Sequence, residues 1–132
     1  MSEFPERVVC IDDDIDLRQL VRVSLEEAEE DIVLVTCGSG EEFIARIREL
    51  QPDLILLDML MPDMSGPDLM EKLRDMPDAT GVPFIFLTGK AKLVMTDHYK
   101  ALGAIGVIHK PFDPVELPNV IREMWATRLG AE

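Results

Sequence analysis

A chain of 132 residues holds one compact domain with its own core and leaves little room for a second. Acidic residues outnumber basic ones 26 to 13 and the formal net charge is −13, so the surface repels phosphate backbones and anionic lipid. No stretch approaches the roughly 20 apolar residues of a membrane span, and the opening Met1-Ser2-Glu3-Phe4-Pro5-Glu6-Arg7 is acidic and broken by proline, unlike a signal peptide. The expectation is a soluble cytoplasmic protein with no direct nucleic-acid or membrane contact.

The first apolar run, Val8-Val9-Cys10-Ile11, leads into Asp12-Asp13-Asp14. Asp14 or Asp16 can cap the helix that follows, whose stripe is Leu17, Leu20, Val21, Ser24, Leu25 and Ala28. Ile32-Val33-Leu34-Val35 is the second run, and Ser39 is placed to cap a helix carrying Phe43, Ile44, Ile47 and Leu50. Beyond Pro52, Leu54-Ile55-Leu56-Leu57 runs into Asp58-Met59-Leu60-Met61-Pro62. Pro67, after Ser65-Gly66, suits the first turn of a helix through Leu69, Met70, Leu73 and Met76. Pro83 introduces Phe84-Ile85-Phe86-Leu87, which ends in Thr88-Gly89, and a weaker helical pattern surrounds Leu93, Val94, Ala101 and Leu102. Val107-Ile108 ends in His109-Lys110-Pro111-Phe112, and the last helix carries Val120, Ile121, Met124 and Trp125. Either that helix begins at Pro118, or Pro114 opens it and Pro118 distorts its first turn.

The apolar runs are mostly continuous, not alternating, as parallel strands covered on both faces require. Five of them alternating with five helices predict an open, doubly wound α/β sheet, because parallel strands need crossovers. Cys10 and Cys37, the two cysteines, have neither metal nor disulfide spacing and are expected to be reduced core thiols, although they approach each other if the first two strands are neighbours.

Open sheets of this kind bind ligands at the carboxyl ends of their strands. Asp12 and Asp13, Asp58, Thr88 and Lys110 all arrive at that edge, from four different strands. If the first and third strands are adjacent, Asp12, Asp13 and Asp58 repel one another unless a cation intervenes. Lys110 supplies one charge and a divalent ion would supply the rest. A few oxygen ligands with room for water and a phosphate oxygen describe Mg²⁺ better than Zn²⁺ or a caged Ca²⁺. Each residue alone has a plainer reading: a capped helix start, a loop aspartate, a surface lysine. Their joint arrival in order is the signal. His98 and His109 are read as solvated or satisfied imidazoles, Met61 as packing, and Trp125 as helix-to-sheet packing.

From about Val8 to Trp125 the chain resembles the receiver domain of two-component response regulators, the chemotaxis regulator among them. The resemblance is carried by Asp12-Asp13, by Leu57-Asp58-Met59-Leu60-Met61-Pro62-Asp63-Met64-Ser65-Gly66, by Thr88 and by Lys110-Pro111-Phe112. It implies a flavodoxin-like (βα)5 fold with strand order 2-1-3-4-5, one receiver domain over 1–132 with its core at about 7–129, and a stand-alone phosphorylation switch. It implies Asp58 as phosphoacceptor, with Thr88 and Lys110 assisting, and Thr88, Gly89, Lys110 and Met59 around the phosphoryl group. Mg²⁺ would be held by Asp12, Asp13, Asp58 and the Leu60 carbonyl, and the Lys110-Pro111 peptide would be cis. The implied partners are a sensor histidine kinase or histidine phosphotransfer protein and a protein effector.

The chain departs from the chemotaxis type at Val107, where those members usually carry an aromatic. A valine has no ring to rotate, so the signal is expected to leave through Gly89, Lys90 and Ala91 and the fourth helix with Tyr99. Leu60 cannot orient an attacking water, which points to slow self-dephosphorylation; Lys90 either pairs with the phosphate or is solvated. An aspartyl-phosphate hydrolase of the haloacid dehalogenase type would use an Asp-x-Asp such as Asp12-Asp13-Asp14, but it needs a longer chain and leaves the Asp58 motif unexplained. A flavin or nucleotide module lacks its glycine-rich phosphate loop after the first strand.

Overall fold

Residues 4–89 and 102–128 are described by a computed structural model. The strands are β1 Arg7–Ile11, β2 Val33–Cys37, β3 Leu54–Asp58, β4 Phe84–Thr88 and β5 Gly106–His109; the helices are α1 Ile15–Ala28, α2 Gly40–Leu50, α3 Gly66–Leu73 and α4 Leu117–Thr127. All strand pairs are parallel, in the order β2-β1-β3-β4-β5. This is the doubly wound sheet expected from the continuous apolar runs.

Successive strand residues point to opposite faces, and the two cores follow that alternation. Val9, Ile11, Ile55, Leu57, Phe84 and Phe86 pack with Phe43 and Ile47 of α2 and Leu69 and Leu73 of α3. Val8, Cys10, Leu54, Leu56, Ile85 and Leu87 pack with Val21 and Leu25 of α1 and Leu117 and Ile121 of α4, with Trp125 at the margin. Cys10 and Cys37 therefore lie on opposite faces although their strands are neighbours, and both are free thiols. Burial pushes Cys37 up to about 11 and Cys10 further, so both stay protonated.

Four boundaries sharpen the sequence expectation. β2 runs on to Cys37, because Cys37 O accepts the Asp12 N–H at 3.1 Å and extends the ladder past polar Thr36. α1 is capped by Asp14, whose Oδ1 accepts from the N–H of Asp16 and of Leu17, and α2 by Ser39. α4 begins at Leu117 with Pro118 in its first turn, where a missing N–H costs nothing, so the last helix is regular. Of the weaker fourth pattern only Leu102 is described; Lys90, Ala91, His98 and Tyr99 lie outside the described residues. No helix among those described is long and apolar enough to cross a membrane.

Candidate metal and phosphoryl site

The strand order places β1 beside β3, and β3 beside β4, so the chain segments leaving their carboxyl ends converge. Asp58 and Thr88 are the last residues of β3 and β4, not the first residues beyond them, and both are buried, as is Asp12. Lys110 follows β5, its N–H donating to Thr88 O at 2.7 Å. Its ammonium bridges the two buried carboxylates, donating to Asp12 Oδ2 at 2.9 Å and Asp58 Oδ1 at 3.0 Å. The Lys110-Pro111 peptide is cis.

Asp12 is fixed on every side: Oδ1 accepts from the Asp14 N–H at 2.9 Å, its own N–H is held by Cys37 O, and its carbonyl accepts from Arg18 Nη1 at 2.7 Å. Asp58 differs. Oδ1 accepts a hydrogen bond from the Lys110 ammonium and a long one from the Leu60 N–H at 3.5 Å, while Oδ2 accepts no hydrogen bond among the described residues. One oxygen is thus anchored and the other is available. Met59 N–H is engaged by Leu87 O at 3.0 Å, which leaves the Leu60 amide as the one facing the carboxylate. Among the described residues nothing lies within 4 Å of where a Cβ on Gly89 would stand, so they leave its backbone open to an oxyanion.

The donor set fits a hard divalent cation. One carboxylate oxygen each from Asp12, Asp13 and Asp58 lies within 4.8 Å of the others, and Asp13 is exposed, keeping the site open to water. One ammonium shared between two carboxylates is not enough to neutralise them: burial, then the Asp12 charge, push Asp58 up to about 6 against the opposing pull of Lys110. For Lys110 burial alone would lower the pKa, and the hydrogen bonds to Asp12 and Asp58 together with their negative charges more than reverse this.

The loop between β3 and α3 is held tightly. Gly66 N–H donates to Met59 O at 2.9 Å, and a Cβ on Gly66 would stand 2.7 Å from Asp58 O. Gly66→Ala must push the backbone at Asp58 or the start of α3, and is expected to cost about 1–3 kcal/mol in urea unfolding; wild-type stability would show that the loop yields freely. At the loop tip Asp63 accepts from the N–H of Glu41 at 2.9 Å, and Met64 lies against Gly40, pinning the loop to α2. Met61 is buried in the core, as read from sequence. His109 is neither solvated nor satisfied at Nδ1, which is buried without a hydrogen-bond partner among the described residues. Arg18 and Asp63 were not singled out in the sequence, since contacts from a side chain to distant backbone leave no pattern of residue types.

The family model described as response regulator receiver domain matches residues 8–122, and the chain belongs to that family. Among curated relatives, the DNA-binding response regulator MtrA of Mycobacterium tuberculosis is 34% identical over 92% of this chain and 51% of its own, and the response regulator SaeR of Staphylococcus epidermidis is 32% identical over 83% and 46%. The chain thus spans about half the length of the curated relatives it matches. MtrA is named for DNA binding, so the expectation of no nucleic-acid partner draws no support from it. Solved structures match over nearly their whole length: chemotaxis protein CheY4 of Vibrio cholerae, TM-score 0.79 and 29% identity over 89% of this chain and 97% of its own, and a CheY-like receiver protein of Methanospirillum hungatei, 0.78 and 28% over 96% and 98%.

Proposed function

We propose that the chain is a Mg²⁺-dependent phosphoacceptor switch in which Asp58 takes a phosphoryl group from a histidine kinase or histidine phosphotransfer protein. The observation that carries this reading is the asymmetry of Asp58, with Oδ1 held by Lys110 and Oδ2 without a hydrogen bond among the described residues. Oδ2 attacks phosphorus, an O–P bond forms, and the P–N bond to the donor imidazole breaks, the ring keeping the electron pair and taking up a proton. Transfer of this kind asks the protein mainly for positioning and charge stabilisation. Lys110 supplies a fixed ammonium, Gly89 and Leu60 offer backbone N–H groups, and Thr88 offers a hydroxyl. Asp12, Asp13, Asp58 and the Leu60 carbonyl would hold Mg²⁺, which when bound contributes positive charge to the equatorial oxygens.

A protein donor is favoured over a small one by the apolar side chains around the pocket. Ile15 and Leu60 are 68% and 65% exposed, and they lie in the segments leaving β1 and β3 at the sheet edge that carries Asp12 and Asp58. Apolar groups left in water beside an acidic site suit a docking surface. The Leu60 side chain has no polar atom with which to aim water, which supports slow self-dephosphorylation. The output is a change in protein contacts, with the receiver acting in its own right as one unit; the charge of −13 disfavours the receiver itself as the DNA-contacting part.

The direct test is intact mass after incubation with acetyl phosphate. One added phosphoryl group in Mg²⁺, and none with the metal chelated, is the expected result; no addition in Mg²⁺ would sink the reading. Metal affinity gives a second expectation. Asp14 serves the α1 cap, so Asp13→Ala should weaken Mg²⁺ binding by about tenfold or more and Asp14→Ala far less. Calorimetric titration giving equal affinities for the two would remove Asp13 from the ligand set.

A further inference from the structure

We infer that Arg18 is a positioning residue that holds the Asp12–Asp14 turn in its metal-binding shape; the inference rests on the reading of Asp12, Asp13 and Asp58 as Mg²⁺ ligands. Arg18 grips this turn twice. Its backbone N–H donates to Asp14 O at 3.0 Å as the first hydrogen bond of α1, and its guanidinium Nη1 donates to Asp12 O at 2.7 Å. Asp13 therefore lies between two carbonyls bonded to the same residue.

That matters because the Asp13 carboxylate has no hydrogen bond of its own among the described residues and is exposed. The path of the backbone through the turn therefore sets where this side chain projects from. Asp12, by contrast, has both carboxylate oxygens and its N–H engaged by Asp14, Lys110 and Cys37. The Arg18 side chain is half-buried, forms no ion pair among the described residues, and rests against Gly38, where a Cβ would stand 3.1 Å from Nη1. The guanidinium thus reaches from α1 across the ends of β1 and β2, and its one hydrogen bond among the described residues is to the backbone of a proposed ligand. Groups that orient ligands without touching the ion typically change metal affinity by about 10–100-fold when removed.

The sign of the effect separates positioning from simple charge. A guanidinium this close to the site repels a cation, so an arginine acting only through its charge would weaken Mg²⁺ binding, and its removal would tighten it. Positioning predicts the reverse. The experiment is calorimetric titration of the whole chain with MgCl₂, comparing wild type, Arg18→Met and Arg18→Lys at one ionic strength, with thermal unfolding to check that each variant is folded. Arg18→Met should weaken binding about tenfold despite the lost positive charge, and Arg18→Lys, which keeps the charge but not the guanidinium's reach, should fall between. Amide shifts of Asp13 and Asp14 in the metal-free protein should move in both variants. Affinity equal to or tighter than wild type in Arg18→Met would overturn the inference while leaving the metal site intact, and if that variant does not fold, wild-type affinity in Arg18→Lys does the same. Absence of Mg²⁺ binding in the wild type itself would overturn both the inference and the reading beneath it.

Discussion

Asp58→Asn is expected to abolish phosphoryl incorporation from acetyl phosphate, while the wild-type chain takes up one group in Mg²⁺. The substitution keeps the shape of the side chain and replaces the available Oδ2 or the Lys110-bound Oδ1 with an amide nitrogen, which is no nucleophile. The two neighbouring carboxylates should not take over. Both Asp12 oxygens accept hydrogen bonds in a buried setting, from Asp14 and Lys110. Asp13 is exposed and lacks the fixed ammonium that Lys110 gives Asp58. Intact mass followed by peptide mapping decides the matter. Label remaining at wild-type level in Asp58→Asn, on whatever residue, would move the acceptor elsewhere.

The legible part of the molecule was set by properties that repeat along the chain. Continuous apolar runs specify strands buried on both faces, and Leu54–Leu57 and Phe84–Leu87 are indeed buried. Strand ends were less legible, because Thr36, Asp58, Thr88 and His109 are polar residues that still pair in the sheet. The ladder extends as far as backbone partners exist, whatever the side chain. The convergence of Asp12, Asp58 and Lys110 was readable because each ends or follows a strand, and topology does the rest. The Arg18 contact with Asp12 and the Asp63 contact with α2 were not legible for the opposite reason: each side chain binds backbone atoms, which every residue possesses, so no pairing of residue types betrays the contact. The same holds for the Met59 amide. Its engagement by Leu87 O, with the Leu60 amide turned to Asp58, depends on the path of the loop and not on its composition.

Metal-free Asp58→Asn is expected to be more stable than the wild type at pH 8, with the difference shrinking to a small fraction of that by pH 4. Asp58 ionises near 3.8 in the open chain and at about 6 in the fold, so between these values the folded state binds more protons than the unfolded one. Stability then falls as pH rises through this window and reaches its full loss above it. Below the lower value both states are protonated and the difference vanishes. A shift of this size corresponds to about 3 kcal/mol. The pocket is open to water on the side of exposed Asp13 and Leu60, which screens the charge, and the variant also loses an ion pair with Lys110, so the expected gain is about 1–2 kcal/mol. Mg²⁺ at about a hundred times its dissociation constant should reverse the order, because a ligand that binds only the folded state then stabilises it by about 2.7 kcal/mol, and the variant lacks one of the three carboxylates proposed to hold the ion. Urea unfolding at pH 4, 6 and 8, with and without Mg²⁺, tests each part. A gain that is constant with pH would assign it to packing, and a wild type more stable at pH 8 without metal would show that Lys110 neutralises Asp58 more completely than burial and Asp12 oppose it.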